Sequence, residues 1–171
     1  MANKLNNCYL INAPAGSGKT TEIKSMVQRC IIDNPKDNIL CITYTNRAAD
    51  ELSKDILSKN VFIGTIHSFL HFFLKPYFAH QDILELYFEV YGAQISERID
   101  NKDQKESIAE SNARYIEKYE KLDYDMVRNN IKVLSYNESP FSSLYYGGLS
   151  HDDLISFSKA IFNRYPVIKK R

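Results

Sequence analysis

Three short strings hold the residues of this 171-residue chain whose types and spacing suit chemistry. The first is Ala13-Pro14-Ala15-Gly16-Ser17-Gly18-Lys19-Thr20, a phosphate-loop pattern with Ala in place of its first Gly. Gly16 and Gly18 let the backbone approach an anion, and the backbone N–H groups of Ala13 and of Ala15 to Thr21, with a helix start, converge on it. Lys19 has the reach to meet the β- and γ-phosphate oxygens of a nucleotide, and the Thr20 hydroxyl is placed to ligate its Mg²⁺. The second string is Thr43-Tyr44-Thr45-Asn46-Arg47-Ala48-Ala49 and the third Gly64-Thr65-Ile66-His67-Ser68-Phe69. Hydroxyls, an amide, an Arg and aromatic rings suit phosphate contacts and sequence-tolerant base stacking. Taken singly, Thr45 or Asn46 is also accounted for as a helix cap and Thr65 as a strand end.

Hydrolysis of a nucleotide requires carboxylates that hold the metal's water shell and polarise the attacking water. Asp50-Glu51 falls inside a helical pattern and Asp152-Asp153 at a helix start, so neither pair stands at the end of a strand. His67 and His71, four apart, would share a helix face, but no third metal ligand is near them in sequence.

Alternating strands and helices must position these strings. Cys8–Asn12 is a short apolar run that predicts a buried strand leading into the phosphate loop. Ile23, Met26, Val27, Cys30 and Ile31 keep helical spacing until Asn34-Pro35. A second strand is predicted over 38–43, a helix with Ala48, Ala49, Leu52 and Ile56 on one face, and a third strand over 61–65. That order implies a parallel sheet, with the second and third strings at the carboxyl ends of its strands, where such sheets bind ligands.

Beyond Thr65 the pattern turns helical. A Phe-rich helix runs to Lys75-Pro76, and further stripes follow: Ile83 to Val90, ending near Gly92; Ile108 to Leu122; and Met126 to Leu134. Residues 137–149 read as loop. Ser150 and Asp153 suggest a capping box for a last helix that stops at Tyr165-Pro166. Nine of the 12 tyrosines lie in residues 76–150, where helical spacing favours a core role over base stacking.

The net charge of +1 hides a partition. Residues 1–75 carry 9 basic and 6 acidic side chains, residues 76–150 carry 8 and 13, and residues 151–171 carry 5 and 2. Cys8, Cys30 and Cys41 are widely spaced in apolar segments and read as buried free thiols of a reducing compartment. No run approaches the length of a membrane span, so a cytoplasmic protein is expected.

Together and in this order, the three strings resemble the N-terminal part of the UvrD/Rep/PcrA-like superfamily 1 DNA helicases. The first is similar to the family's motif I, the second to its Thr-Phe-Thr-Asn-Lys-Ala-Ala motif, and the third to its Thr-x-His-Ser/Gly-Phe motif. The resemblance implies a P-loop NTPase (RecA-like) parallel α/β sheet, incomplete, with a helical insert. Residues 1–75 would be the first part of the ATP-binding domain, 76–150 the insert and 151–171 a return helix, Leu149 to Ile155 being similar to the family's re-entry element.

ATP with Mg²⁺ and single-stranded DNA are the implied cofactors and partner, together with the second RecA-like domain of a parent chain. Tyr44 would take the place of the base-contacting aromatic, with Thr45, Asn46, Arg47, Thr65, His67 and Ser68 lining the DNA groove. Thr21 stands where many members carry an Arg beside the base, and about a dozen residues precede the loop, so adenine preference rests on the resemblance alone. The family's Asp-Glu-x-Gln-Asp strand would fall after Arg171, so the chain by itself is expected to bind ATP without hydrolysing it. A stand-alone nucleotide- and DNA-binding module is the alternative. A small P-loop kinase is a further one, which leaves the second and third strings without a role.

Overall fold

The computed structural model describes residues 14, 16–100, 106–137 and 144–170. The expected strand over 8–12, with Cys8, lies outside these residues, as do Ala13 and Ala15. The chain divides into two compact units, Met1–Thr65 and Ile66–Arg171. No described helix is long and apolar enough to cross a membrane.

In the first unit, α1 (Lys19–Asp33), β1 (Ile39–Thr43), α2 (Asn46–Ser53) and β2 (Val61–Thr65) follow in chain order. β1 and β2 pair in parallel, with the register running from Ile39↔Val61 to Thr43↔Thr65. Both strands therefore end at the same edge, and the loops that follow them start side by side. The apolar stripe expected on α1 is only partly covered: Val27 is 6% exposed, but Ile23 and Met26 are 41% and 39% exposed. α2 ends at Ser53, so Ile56 lies beyond it, buried all the same. The cysteine expectation is corrected, because Cys30 is exposed on α1 and Cys41 is half-buried on β1. Partial burial pushes the Cys41 thiol pKa up, and the neighbouring Cys30 adds to it.

In the second unit, α3 (Ile66–Leu74) passes into a 3₁₀ turn at Lys75–Tyr77, where Pro76 cannot continue the α-helical bonding. Then come α4 (Gln81–Asp100), α5 (Glu106–Tyr119), α6 (Tyr124–Asn130), β3 (Ser135–Tyr136), β4 (Gly148–Leu149) and α7 (His151–Arg164). Leu74, Phe78, Tyr87, Ile95, Leu154 and Phe157 are among its fully buried side chains. Tyr87, Tyr91, Tyr115 and Tyr145 are buried with them, so these tyrosines are core. The Tyr87 hydroxyl donates to the Leu144 carbonyl at 2.8 Å, and burial raises its pKa far above the ordinary tyrosine value.

Three local readings are overturned. α4 runs eight residues past Gly92, because Tyr124 occupies the space where a side chain would sit: an added Cβ would lie 2.6 Å from its Oη. The absence of a side chain here serves packing between α4 and α6 and does not end the helix. α6 stops at Asn130, with Ile131 extended, and the Leu134 N–H donates to the Phe78 carbonyl at 2.9 Å. Ile131 and Leu134 are still buried, so tertiary packing reproduced the apolar spacing without helix. Likewise α5 ends before Leu122, with Glu120 in the left-handed region at φ 66. Within the expected loop, β4 pairs in parallel with β3 and Leu144–Tyr146 forms a 3₁₀ turn. Gly147, at φ 71, makes the turn into β4 in a conformation that favours glycine.

Candidate nucleotide and nucleic-acid sites

Pro14 and Gly16–Gly18 lead directly into α1. Gly16 and Gly18 have φ of 78 and 81, left-handed values that carry little cost without a Cβ. No atom lies within 4 Å of a Cβ built on either, so conformation, not crowding, requires glycine here. Gly18 is the N-cap of α1 and supplies no side chain to the first-turn N–H groups. The helix start thus combines donors and a partial positive charge. The first-turn acid, Glu22, is paired with Arg29 at 3.0 Å.

Ser17, Lys19, Thr20 and Thr21 are all exposed. The Lys19 Nζ donates to the Pro14 carbonyl at 2.6 Å, so the ammonium folds back across the loop. The contact is exposed, and a phosphate bound at the helix start would compete with it for the ammonium. Left-handed glycines, a helix start, an exposed ammonium and an exposed threonine hydroxyl together suit a metal-bound polyphosphate.

At the common carboxyl edge of β1 and β2, the Thr43 hydroxyl donates to the Thr45 carbonyl at 3.0 Å and lies 3.4 Å from the Gly64 carbonyl. That bonding shapes the turn and throws the Tyr44 ring outward, 99% exposed. Thr45 does cap α2, its oxygen accepting from the Ala48 N–H at 3.2 Å, which leaves its O–H to offer a ligand. Asn46 and Arg47 follow, exposed, in the first turn of α2. Thr65, half-buried, is the last residue of β2.

In the second unit, His67 and Ser68 lie in the first turn of α3, both half-buried. The His67 ring stacks on His151, with centroids 3.6 Å apart and planes inclined by 31°. Nδ1 of His151 is hydrogen-bonded to Oη of Tyr136 at 2.8 Å. The Tyr136 ring lies 5.3 Å from His71, one turn along α3 from His67. Burial lowers the His71 pKa, as does the nearby Lys75 ammonium. Three of the chain's four histidines therefore share one patch, although no three metal-ligating side chains among the described residues are arranged to hold a metal. His151 and Tyr136 had no signal in the sequence, since no spacing rule links residue 67 to residue 151. The β3–β4 register, Tyr136↔Leu149, is what brings them together.

One carboxylate of each pair considered from sequence is engaged structurally. Glu51 bonds Lys54 at 2.7 Å and faces Lys24 at 3.8 Å; the bond from Lys54 and these two charges lower its pKa. Asp153 closes a capping box, its carboxylate accepting from the Ser150 N–H at 3.2 Å while the Ser150 hydroxyl accepts from the Asp153 N–H. Among the described residues, neither strand of the first unit ends in a carboxylate pair.

Comparison with known proteins bears on the whole chain. Neither the curated proteins nor the solved structures contain a match to it. The family model for the UvrD/REP helicase N-terminal domain matches residues 1–165, nearly the full length. The phosphate loop, both strand-end loops and the helical region lie within that match, and the chain belongs to the UvrD/REP helicase N-terminal domain family.

Proposed function

We propose that this chain is the ATP- and single-stranded-DNA-binding part of an ATP-dependent, UvrD-like DNA translocase, built on a P-loop, RecA-like sheet. The observation that carries the reading is the left-handed pair Gly16 and Gly18 opening α1 with Lys19 and Thr20 at its first turn. Pro14, Gly16, Ser17, Gly18 and Thr21, with Ala13 and Ala15 beside them in sequence, cradle the phosphates. Lys19 neutralises their charge, and Thr20 is the protein's ligand to Mg²⁺. Mg²⁺-ATP, once bound, supplies the terminal phosphoryl group whose release powers movement.

On the DNA side, the exposed Tyr44 ring offers a stacking face and Arg47 a charge. Thr45, Asn46, Thr65, His67 and Ser68 are the DNA's polar contacts in this reading. Residues 1–75 and 151–171 serve the ATP-binding domain and 76–150 an insert. Among the described residues no strand of the first unit ends in the carboxylates that activate water, which supports nucleotide binding without turnover. Titrating a fluorescent ATP analogue with and without Mg²⁺, alongside a phosphate-release assay with single-stranded DNA, tests both halves. Binding that survives Lys19→Ala, or Lys19-dependent hydrolysis, would contradict the reading.

A further inference from the structure

The ring patch at the start of α3 and α7 carries more than the resemblance assigns to it. His67 is the second residue of α3, His151 opens α7, and Tyr136 ends β3. A half-buried histidine in the first turn of a helix has several accessible rotamers, and fixing one costs side-chain entropy. Here two neighbours meet that cost before any ligand arrives. The His151 and His67 ring centroids lie 3.6 Å apart, and His151 is itself held through Nδ1 by the Tyr136 hydroxyl at 2.8 Å. Tyr136 is anchored in turn by the β3–β4 register, in which it pairs with Leu149, two residues before His151. Ser150, between them, caps α7 with both capping-box bonds formed, so the backbone that carries His151 is fixed as well.

We propose that His151 and Tyr136 are positioning residues for His67, holding its ring in the orientation it presents to single-stranded DNA. The proposal rests on the reading of His67 as a DNA contact. The His151 contact covers one face of the His67 ring. The Tyr136 hydroxyl acts one step back, stopping His151 from turning about its own χ2. A ring oriented beforehand binds more tightly because ordering it no longer opposes association.

The test is a double-mutant cycle on the 171-residue chain, read by anisotropy of a fluorescein-labelled oligothymidylate and by NMR of the histidine ring protons. His151→Ala should weaken binding about fivefold, and His67→Ala by about as much, with the double variant no weaker than either alone. His151→Phe, which restores an aromatic face, should recover affinity to within about twofold. Tyr136→Phe should fall between. The His67 ring protons should lose their stacking shift in His151→Ala, while those of exposed His80 stay put.

Additive losses from His67→Ala and His151→Ala overturn the proposal, as does a His67 ring signal that ignores His151→Ala. If no oligothymidylate binds at all, the DNA reading fails with this extension of it, while the NMR arm still reports whether His151 orients His67.

Discussion

The Lys19 ammonium donates to the Pro14 carbonyl across the phosphate loop at 2.6 Å. The bond is exposed, and such a contact adds little to stability because water competes for both partners. A polyphosphate offers the ammonium charge-assisted bonds in exchange. Lys19→Met should therefore leave the melting temperature within about 2 °C of wild type while weakening an ATP analogue at least about tenfold. Calorimetry and analogue titration on the same samples separate the two effects.

Tyr44 makes the complementary case on the DNA side. Its ring is 99% exposed, so Tyr44→Ala removes no packing and should not change thermal stability. Loss of one stacking face should reduce oligothymidylate affinity by about 1–3 kcal/mol. The chain contains no tryptophan, so Tyr44→Trp would provide a single indole whose emission reports stacking directly. Equal affinity of Tyr44→Ala and wild type would remove this residue from the interface.

Gly92 and Tyr124 give a prediction that changes sign with background. An added Cβ would lie 2.6 Å from the Tyr124 Oη but 3.5 Å from its ring carbon. Gly92→Ala alone should destabilise by about 1 kcal/mol, the clash outweighing the helix propensity gained. Introduced into a Tyr124→Phe background, where the hydroxyl is gone, the same change should be neutral or stabilising by up to about 1 kcal/mol. Denaturant unfolding of the four proteins tests this.

His71 links stability to pH. Burial, helped by Lys75, depresses its folded pKa below the ordinary value of 6.5, so the unfolded chain takes up the proton more readily than the folded one. Its contribution is then fully present above the unfolded pKa. It declines as pH falls from about 6.5 toward the depressed value and is gone below that value. The denaturation midpoint of the wild type should fall over this window, and His71→Phe should flatten that part of the profile. A slope unchanged by the substitution would assign the pH dependence elsewhere.

The elements that position the motifs were legible because local signals and packing agree there. Asn34-Pro35 follows α1, β1 and β2 are short apolar runs, Pro76 breaks α3, and Ser150 with Asp153 caps α7. The sequence misled where an apolar residue's burial was decided by distant partners. Ile131 and Leu134 continue the spacing of α6 yet are buried through non-helical backbone, and Gly92 looks like a stop until Tyr124 is seen above it. Cys30 sits on an apolar stripe that is largely left uncovered. The glycine turn into α1 could be read from one contiguous string, but the His67, His151 and Tyr136 patch could not, because only the β3–β4 register unites it.

The parallel register of β1 and β2, ending on Thr43↔Thr65, has a mechanical meaning. Tyr44 follows β1 directly, so a pull on the chain there would run along the strand axes. Ladder bonds lie across those axes. Such a pull loads the five paired positions together, in shear, and does not unzip them singly. The two-stranded sheet is thereby stiffer along its strands than across them.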